Sequence, residues 1–337
     1  MASFAEAIAI KAIDSRTYTT FFNDSWAIGN VPHGGIVTSN VLAAVKLHFE
    51  TTLSSYNQPH TINLHLEFLR RTSVGAATIT VQNVKLGRRT STVHVILTQS
   101  PSQGDNDGAT PTTCVVGYLT QSNLFTEAGV SLPTRWALYP PPPPLSSAAR
   151  LRRGDDPNWA LQKNKPYPKF RKAAQHVHTF LPREKRAVEA GVDQWLCFSK
   201  PGERFTQESL GYVADTFPQI VEHYFTATEV TASLKDNAEK TESSSQETLE
   251  QQMKQTATFW YPTLVLNLDI KKALPSEGAE FLFVRVRSKK IKSGRMDVDL
   301  VILDEDGDLI ALSTHVVLIL GSDRNLKRSG QNGKSKI

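Results

Sequence analysis

The chain has 337 residues, a formal charge of +5, and a globular balance of 39% hydrophobic to 21% charged residues. That length is about twice a typical domain, so two domains with sizeable cores are expected. The charge excess is too small to indicate nucleic acid, and no apolar run is long enough for a membrane span. The only cysteines, Cys114 and Cys197, cannot build a disulfide framework or a Cys-x-x-Cys zinc site.

The N-terminus has neither a basic leader nor a long apolar core, which argues against a secretory signal and for an intracellular protein. A helix is predicted over 34–49, opened by Gly34 and Gly35, with apolar residues at helical spacing. Strands are predicted at 62–71, 77–88 and 91–97, each alternating apolar and polar residues. A turn-rich stretch at 104–108 precedes a last strand around 113–116. Prolines then dominate from Pro133, and Pro140 to Pro144 are consecutive, which predicts an extended, stiff spacer. A basic, irregular segment continues to Lys172.

Past the linker the same order returns. A helix is predicted over 208–216, centred on Gly211 and limited by Pro218. The polar stretch 231–256 reads as a surface insertion with a short helix near 247–254. Strands follow at 264–272, 280–288 and 294–302, then a turn at 304–307 and a final strand around 314–317. Both copies place a Gly-Arg pair, Gly87 with Arg88 and Gly294 with Arg295, at the start of the third strand. The duplicated order predicts an α+β tandem (double) hotdog fold: two antiparallel sheets, each wrapped around a central helix. The expected domains are an N-terminal hotdog (1–132), a Pro-rich basic linker (133–172), a C-terminal hotdog (173–321) carrying the insertion 231–256, and a basic flexible tail (322–337).

The ordered anchors Trp26, His33, Gly34 and Gly35, then Asp215, Pro262, Thr263, and the stretch from Asp306 to His315 resemble the double-hotdog acyl-CoA thioesterases. These include the bacterial thioesterase II type and a fungal thioesterase-like group. The resemblance covers most of both halves but not the linker or the insertion. It implies hydrolysis of an acyl-CoA or other acyl thioester to the free acid and thiol, with coenzyme A only as part of the substrate and no metal. Members of the thioesterase II type position a water with an Asp, a Thr or Ser, and a Gln. Matched motif to motif, Asp215 and Thr263 take the first two places, and His315 stands where the Gln is expected. A neutral imidazole offers one donor and one acceptor and titrates near neutrality, unlike an amide. The site is therefore expected to be altered, pH-sensitive or disabled.

The residues themselves suit this chemistry. A carboxylate on a partly buried helix serves as a general base with a raised pKa. His33, Gly34 and Gly35 form a turn and helix start where substrate approaches closely and N–H groups face an oxyanion. Asp193 and His223 remain alternative acid–base groups. Arg88, Arg89, Lys290 and Arg295, in basic turns, are candidate contacts for coenzyme A phosphates. Two other functions stay open: an enoyl-thioester hydratase or dehydratase using an Asp215–His315 pair, and a non-catalytic acyl-thioester-binding hotdog. The expected partner is an acyl-CoA or acyl-carrier thioester, with no nucleic acid. Two fused hotdogs form an internal pseudo-dimer, leaving monomer and homo-oligomer both open. The closing Ser335, Lys336 and Ile337 resemble the Ser-Lys-Leu peroxisomal address, so the cytoplasm and the peroxisome are both expected locations.

Overall fold

Period-two alternation becomes strand geometry across most of the sheet in the computed structural model, which describes residues 2–100, 110–184, 191–218, 220–221 and 257–326. The first half contributes β1 (Thr17–Phe22), α1 (Gly34–Glu50), β2 (His60–Phe68), β3 (Gly75–Lys85), β4 (Ser91–Gln99) and β5 (Thr112–Ser122). The second contributes β6 (Trp159–Leu161), β7 (Val177–Pro182), β8 (Gly191–Phe198), α2 (Ser209–Ala214), β9 (Thr263–Ile270), β10 (Leu282–Arg287), β11 (Arg295–Leu303) and β12 (Leu309–Leu318). Along β4 every second residue is buried, as expected for a strand with one face on the core.

All these strands join one antiparallel sheet in the order β1-β3-β4-β5-β2-β9-β12-β11-β10-β8-β7-β6. Read inward, β1-β3-β4-β5-β2 matches β8-β10-β11-β12-β9, so the halves are related by a pseudo-twofold through the β2–β9 seam. There Leu66 faces Leu266 and Leu64 faces Leu268, all fully buried. Each such side chain contributes roughly 1.5–3 kcal/mol by leaving water, so the seam is core rather than a hinge. The chain is a tandem hotdog, with one helix per half inside the sheet's curl.

The two helices touch backbone to backbone. A Cβ added to Gly35 would lie 2.7 Å from Tyr212 Cα, and one added to Gly211 would lie 2.9 Å from the Ser39 N. Glycine at both positions thus lets α1 and α2 cross closely, bringing the end of α2 to the start of α1. The second helix is shorter than expected, and Asp215 is its C-cap.

On the outer face of the second half, β8 and β10 are buried on both sides. The linker causes this. Leu151 and Trp159 pack with Trp195, Phe283 and Leu303 in a separate small core. Beside it, Arg285 makes a two-pronged ion pair with Asp193, at 2.5 and 2.7 Å, and donates to the Pro140 carbonyl at 2.6 Å. Arg287 donates to the Tyr139 carbonyl at 2.9 Å. The proline run is therefore docked on the sheet, beyond the spacer role read from its composition.

The start of the expected tail is also docked. Asn325 is buried, accepts from the Asn30 N–H at 2.9 Å and donates to the Ile28 carbonyl at 2.9 Å. The insertion 231–256 with its predicted helix, His223 and the three C-terminal residues lie outside the described residues. Among those described, no helix is long and apolar enough to cross a membrane.

Candidate active site

Asp215 ends α2, where the helix dipole is unfavourable to a negative charge. Its carboxylate reaches instead the opposite end of α1, across the two halves. The Gly35 N–H donates to Asp215 Oδ2 at 2.8 Å, and the Thr263 hydroxyl donates to Oδ1 at 2.9 Å. Gly34 makes room for this approach, since a Cβ there would lie 2.8 Å from Oδ2. Burial pushes the Asp215 pKa up to about 7, and the two hydrogen bonds only partly oppose it.

Two histidines flank the carboxylate. His33 Nδ1 lies 3.5 Å from Oδ2, and His315 Nδ1 lies 3.6 Å from Oδ1. Burial pushes both imidazoles down to about 3, with the positive charge of Arg171 adding to the effect at His33. Both are therefore neutral at ordinary pH, and their surroundings fix the tautomers. The Ser313 hydroxyl gives its one proton to the Asn267 carbonyl at 2.6 Å, so it accepts from His315 Nε2 at 2.9 Å. His315 thus carries its proton on Nε2 and turns a bare Nδ1, which has no other partner, toward Asp215. His33 Nδ1 accepts from the Gly35 N–H at 3.1 Å, which puts its proton on Nε2.

Asp215, Thr263, His33 and Gly34 line a cavity of about 720 Å³, while His315 stands behind the carboxylate, fully buried. The expected trio of Asp215, Thr263 and His315 and the expected helix start of His33, Gly34 and Gly35 therefore meet at one place. The Gly35 N–H is already taken by Asp215 and His33. Asp193 is held by Arg285 on the sheet's outer face, away from this cluster.

The basic residues chosen from the sequence do not reach the cavity. Arg88, Arg89, Lys290 and Arg295 are solvent-facing residues of hairpin turns and strand ends, and none lines it. The arginines that do are Arg70, Arg71, Arg171 and Arg324. They come from the end of β2, the linker and the segment after β12, too far apart in sequence to form a cluster there. Arg70 and Arg71 are adjacent at a strand end, which was the available signal.

Among the described residues, the pseudo-twofold does not repeat the His315 position. Leu66 faces Gly117 on β5, as Leu266 faces His315 on β12. The counterpart of His315 is thus Gly117, where a Cβ would lie 2.1 Å from the His65 carbonyl oxygen.

A buried carboxylate gripped across two fused hotdogs, beside a large cavity, is the arrangement of a double-hotdog protein. The chain belongs to the acyl-CoA thioesterase family, whose N-terminal domain matches residues 22–122 and whose C-terminal domain matches residues 144–319. It is 35% identical to the thioesterase-like protein TwmA of Talaromyces wortmannii, over all of this chain (100%) and 97% of that protein. Solved structures share the fold. A protein described as a thioesterase II from Thermobifida fusca YX superimposes with a TM-score of 0.66 at 17% identity, covering 94% of this chain and 99% of that one. A hot dog protein from Alicyclobacillus acidocaldarius does so with a TM-score of 0.65 at 18% identity, covering 95% and 98%.

Proposed function

We propose that this chain hydrolyses an acyl thioester, carried on coenzyme A or on an acyl-carrier arm, to the free acid and thiol. The carrying observation is the buried Asp215 carboxylate, with its pKa near 7, facing the cavity beside the Thr263 hydroxyl. Such a carboxylate is a stronger base than an exposed one yet is still half ionised at neutral pH. A water resting against Asp215 and Thr263 passes a proton to the carboxylate as its oxygen attacks the thioester carbonyl. The C–S bond then breaks, and the thiolate leaves and is protonated. Thr263 already donates to Asp215, so it offers the water only its oxygen lone pairs.

His315 acts on Asp215 rather than on substrate. Its bare Nδ1 accepts from the protonated carboxyl, the state Asp215 enters after taking the water's proton. The developing oxyanion meets the His33 Nε2–H and the Gly34 N–H, since the Gly35 N–H is committed. The arginines along the cavity suit the phosphates of a coenzyme A or phosphopantetheine arm. Free-thiol release from a panel of acyl-CoAs tests the reading. Asp215→Asn should cut the rate by about 10²–10⁴, and unchanged turnover would remove Asp215 from the mechanism.

The histidine flanks support a second reading, in which Asp215 and His33 or His315 move protons on an enoyl thioester. Loss of the enoyl absorbance without thiol release would select it.

A further inference from the structure

A second cavity, of about 340 Å³, adjoins the first. Arg171 and Phe217 line both, and the chain passes from Asp215 in the first to Thr216 in the second within one residue. The second chamber therefore begins directly beyond the carboxylate. It lies over the inner face of β7 and β8, where Val177, Leu181 and Val192 supply an apolar wall. Such a wall suits the acyl part of a thioester better than its hydrophilic carrier arm, which has Arg70, Arg71 and Arg324 along the first cavity.

The rest of the chamber is not built for a plain hydrocarbon tail. Lys165 and Arg171 both line it, together with Gln162, Thr179 and Gln194. Gln194 spends an N–H on the Thr216 carbonyl at 2.9 Å. The Lys165 ammonium donates to the Ala174 and Val177 carbonyls, which leaves it a third N–H. Burial and the neighbouring Arg171 charge push its pKa down to about 8, so an arriving anion would relieve a real electrostatic cost. Among the described residues lining this chamber there is no carboxylate. A methyl-ended chain would strip water from these groups and return nothing to them. An acidic end would pair with the Lys165 ammonium through its third N–H.

Building on the thioester reading of the neighbouring site, we infer that this chamber receives the far end of the acyl group and selects chains ending in a carboxylate over chains ending in a methyl. Lys165 is the specificity-determining residue, and it touches the substrate far from the reacting carbon.

The test compares matched pairs of coenzyme A thioesters, monoacyl and ω-carboxyacyl, with chains of six, eight and ten carbons. Their affinities are measured calorimetrically on the full-length Asp215→Asn chain, and thiol release on the wild type. The carboxyl-ended member of at least one pair should bind tenfold or more tightly. Lys165→Met should bring that pair within about twofold, by weakening the carboxyl-ended member and not the methyl-ended one, and Lys165→Arg should keep the preference. Equal affinities at all three lengths, or a methyl preference, would overturn the inference even if Lys165→Met proved unfoldable. Equal weakening of both members by Lys165→Met would overturn it too, by showing that the lysine holds the carrier arm. Thiol release without chain-end preference sinks this inference alone. Preference in binding without thiol release from any thioester sinks hydrolysis alone.

Discussion

The Gly35 N–H and the Asp215 carboxylate belong to different halves of the chain, yet they meet at 2.8 Å. One helix's start thus holds the other helix's end, so the site exists only when both halves have folded together. The chain gains a preorganised base, and the folded state carries a charge it would otherwise keep in water.

That cost can be measured. The folded pKa of Asp215, about 7, lies above the unfolded value near 3.9, so the native state binds this proton more tightly. The associated stability is fully present below pH 4 and is lost as pH rises through 7. With about 1.4 kcal/mol per pH unit, the loss has a ceiling of about 4 kcal/mol. Asp215→Asn escapes it, because the amide oxygen can still accept from Gly35 while its NH₂ faces Thr263 and His315. The variant should be less active but more stable than wild type at pH 8, and the gap should close below pH 4, as read by urea unfolding.

The same ionisation sets the pH dependence of catalysis. His33 and His315 are neutral down to about pH 3, so among the described residues of this cluster Asp215 is the one that titrates near neutrality. The kcat/KM should rise with pH through a midpoint near 7 with unit slope. His315→Gln replaces a bare acceptor with an amide that can donate to Asp215 Oδ1. A hydrogen bond to the charged form lowers a carboxyl pKa, so the midpoint should move to lower pH. A midpoint that stays put or rises would show that His315 does not tune the carboxylate.

The strands were legible because alternation is a local pattern, whereas Asp215, Thr263 and His315 were picked out by resemblance to a family motif, and the structure brings the three together. Alternation over 91–99 needs one buried face, and Thr263 follows Pro262 at a strand start. What stayed hidden was set by distance. Arg171 and Arg324 reach the cavity from segments that looked like linker and tail. The tautomers of His33 and His315 depend on Gly35, Ser313 and Asn267, which no spacing rule connects to them. The docked linker did leave a sign. Phe281, Leu282, Phe283 and Val284 form a continuous apolar run, which marks a strand covered on both faces.

Gly34 and Gly35 should fail in different ways. A methyl at Gly34 meets the Asp215 carboxylate, the movable end of a side chain. Gly34→Ala should therefore cost activity severely and stability little. A methyl at Gly35 meets the Tyr212 backbone and the Gly211 carbonyl, so the helix crossing itself must open. Gly35→Ala should destabilise by about 1–3 kcal/mol, the usual cost of overpacking. Thermal melts beside thiol-release rates separate the two, and similar melting losses for both would contradict this division.

The outer-face ion pair should behave as structure alone. Arg285 and Asp193 are both buried and bonded to each other, and Arg285 also holds the Pro140 carbonyl. Arg285→Met leaves a buried carboxylate without its partner, a change that typically costs about 3–5 kcal/mol. Replacing both, as Asp193→Leu with Arg285→Met, removes the orphaned charge and should recover most of that loss, because apolar side chains fit against Trp195 and Phe283. Neither change touches the cavity, so kcat/KM should stay within about twofold of wild type at temperatures where the variants are folded. A large fall in kcat/KM for the double variant, with its melting temperature restored, would instead tie the linker's docking to the chemistry on the opposite face of the sheet.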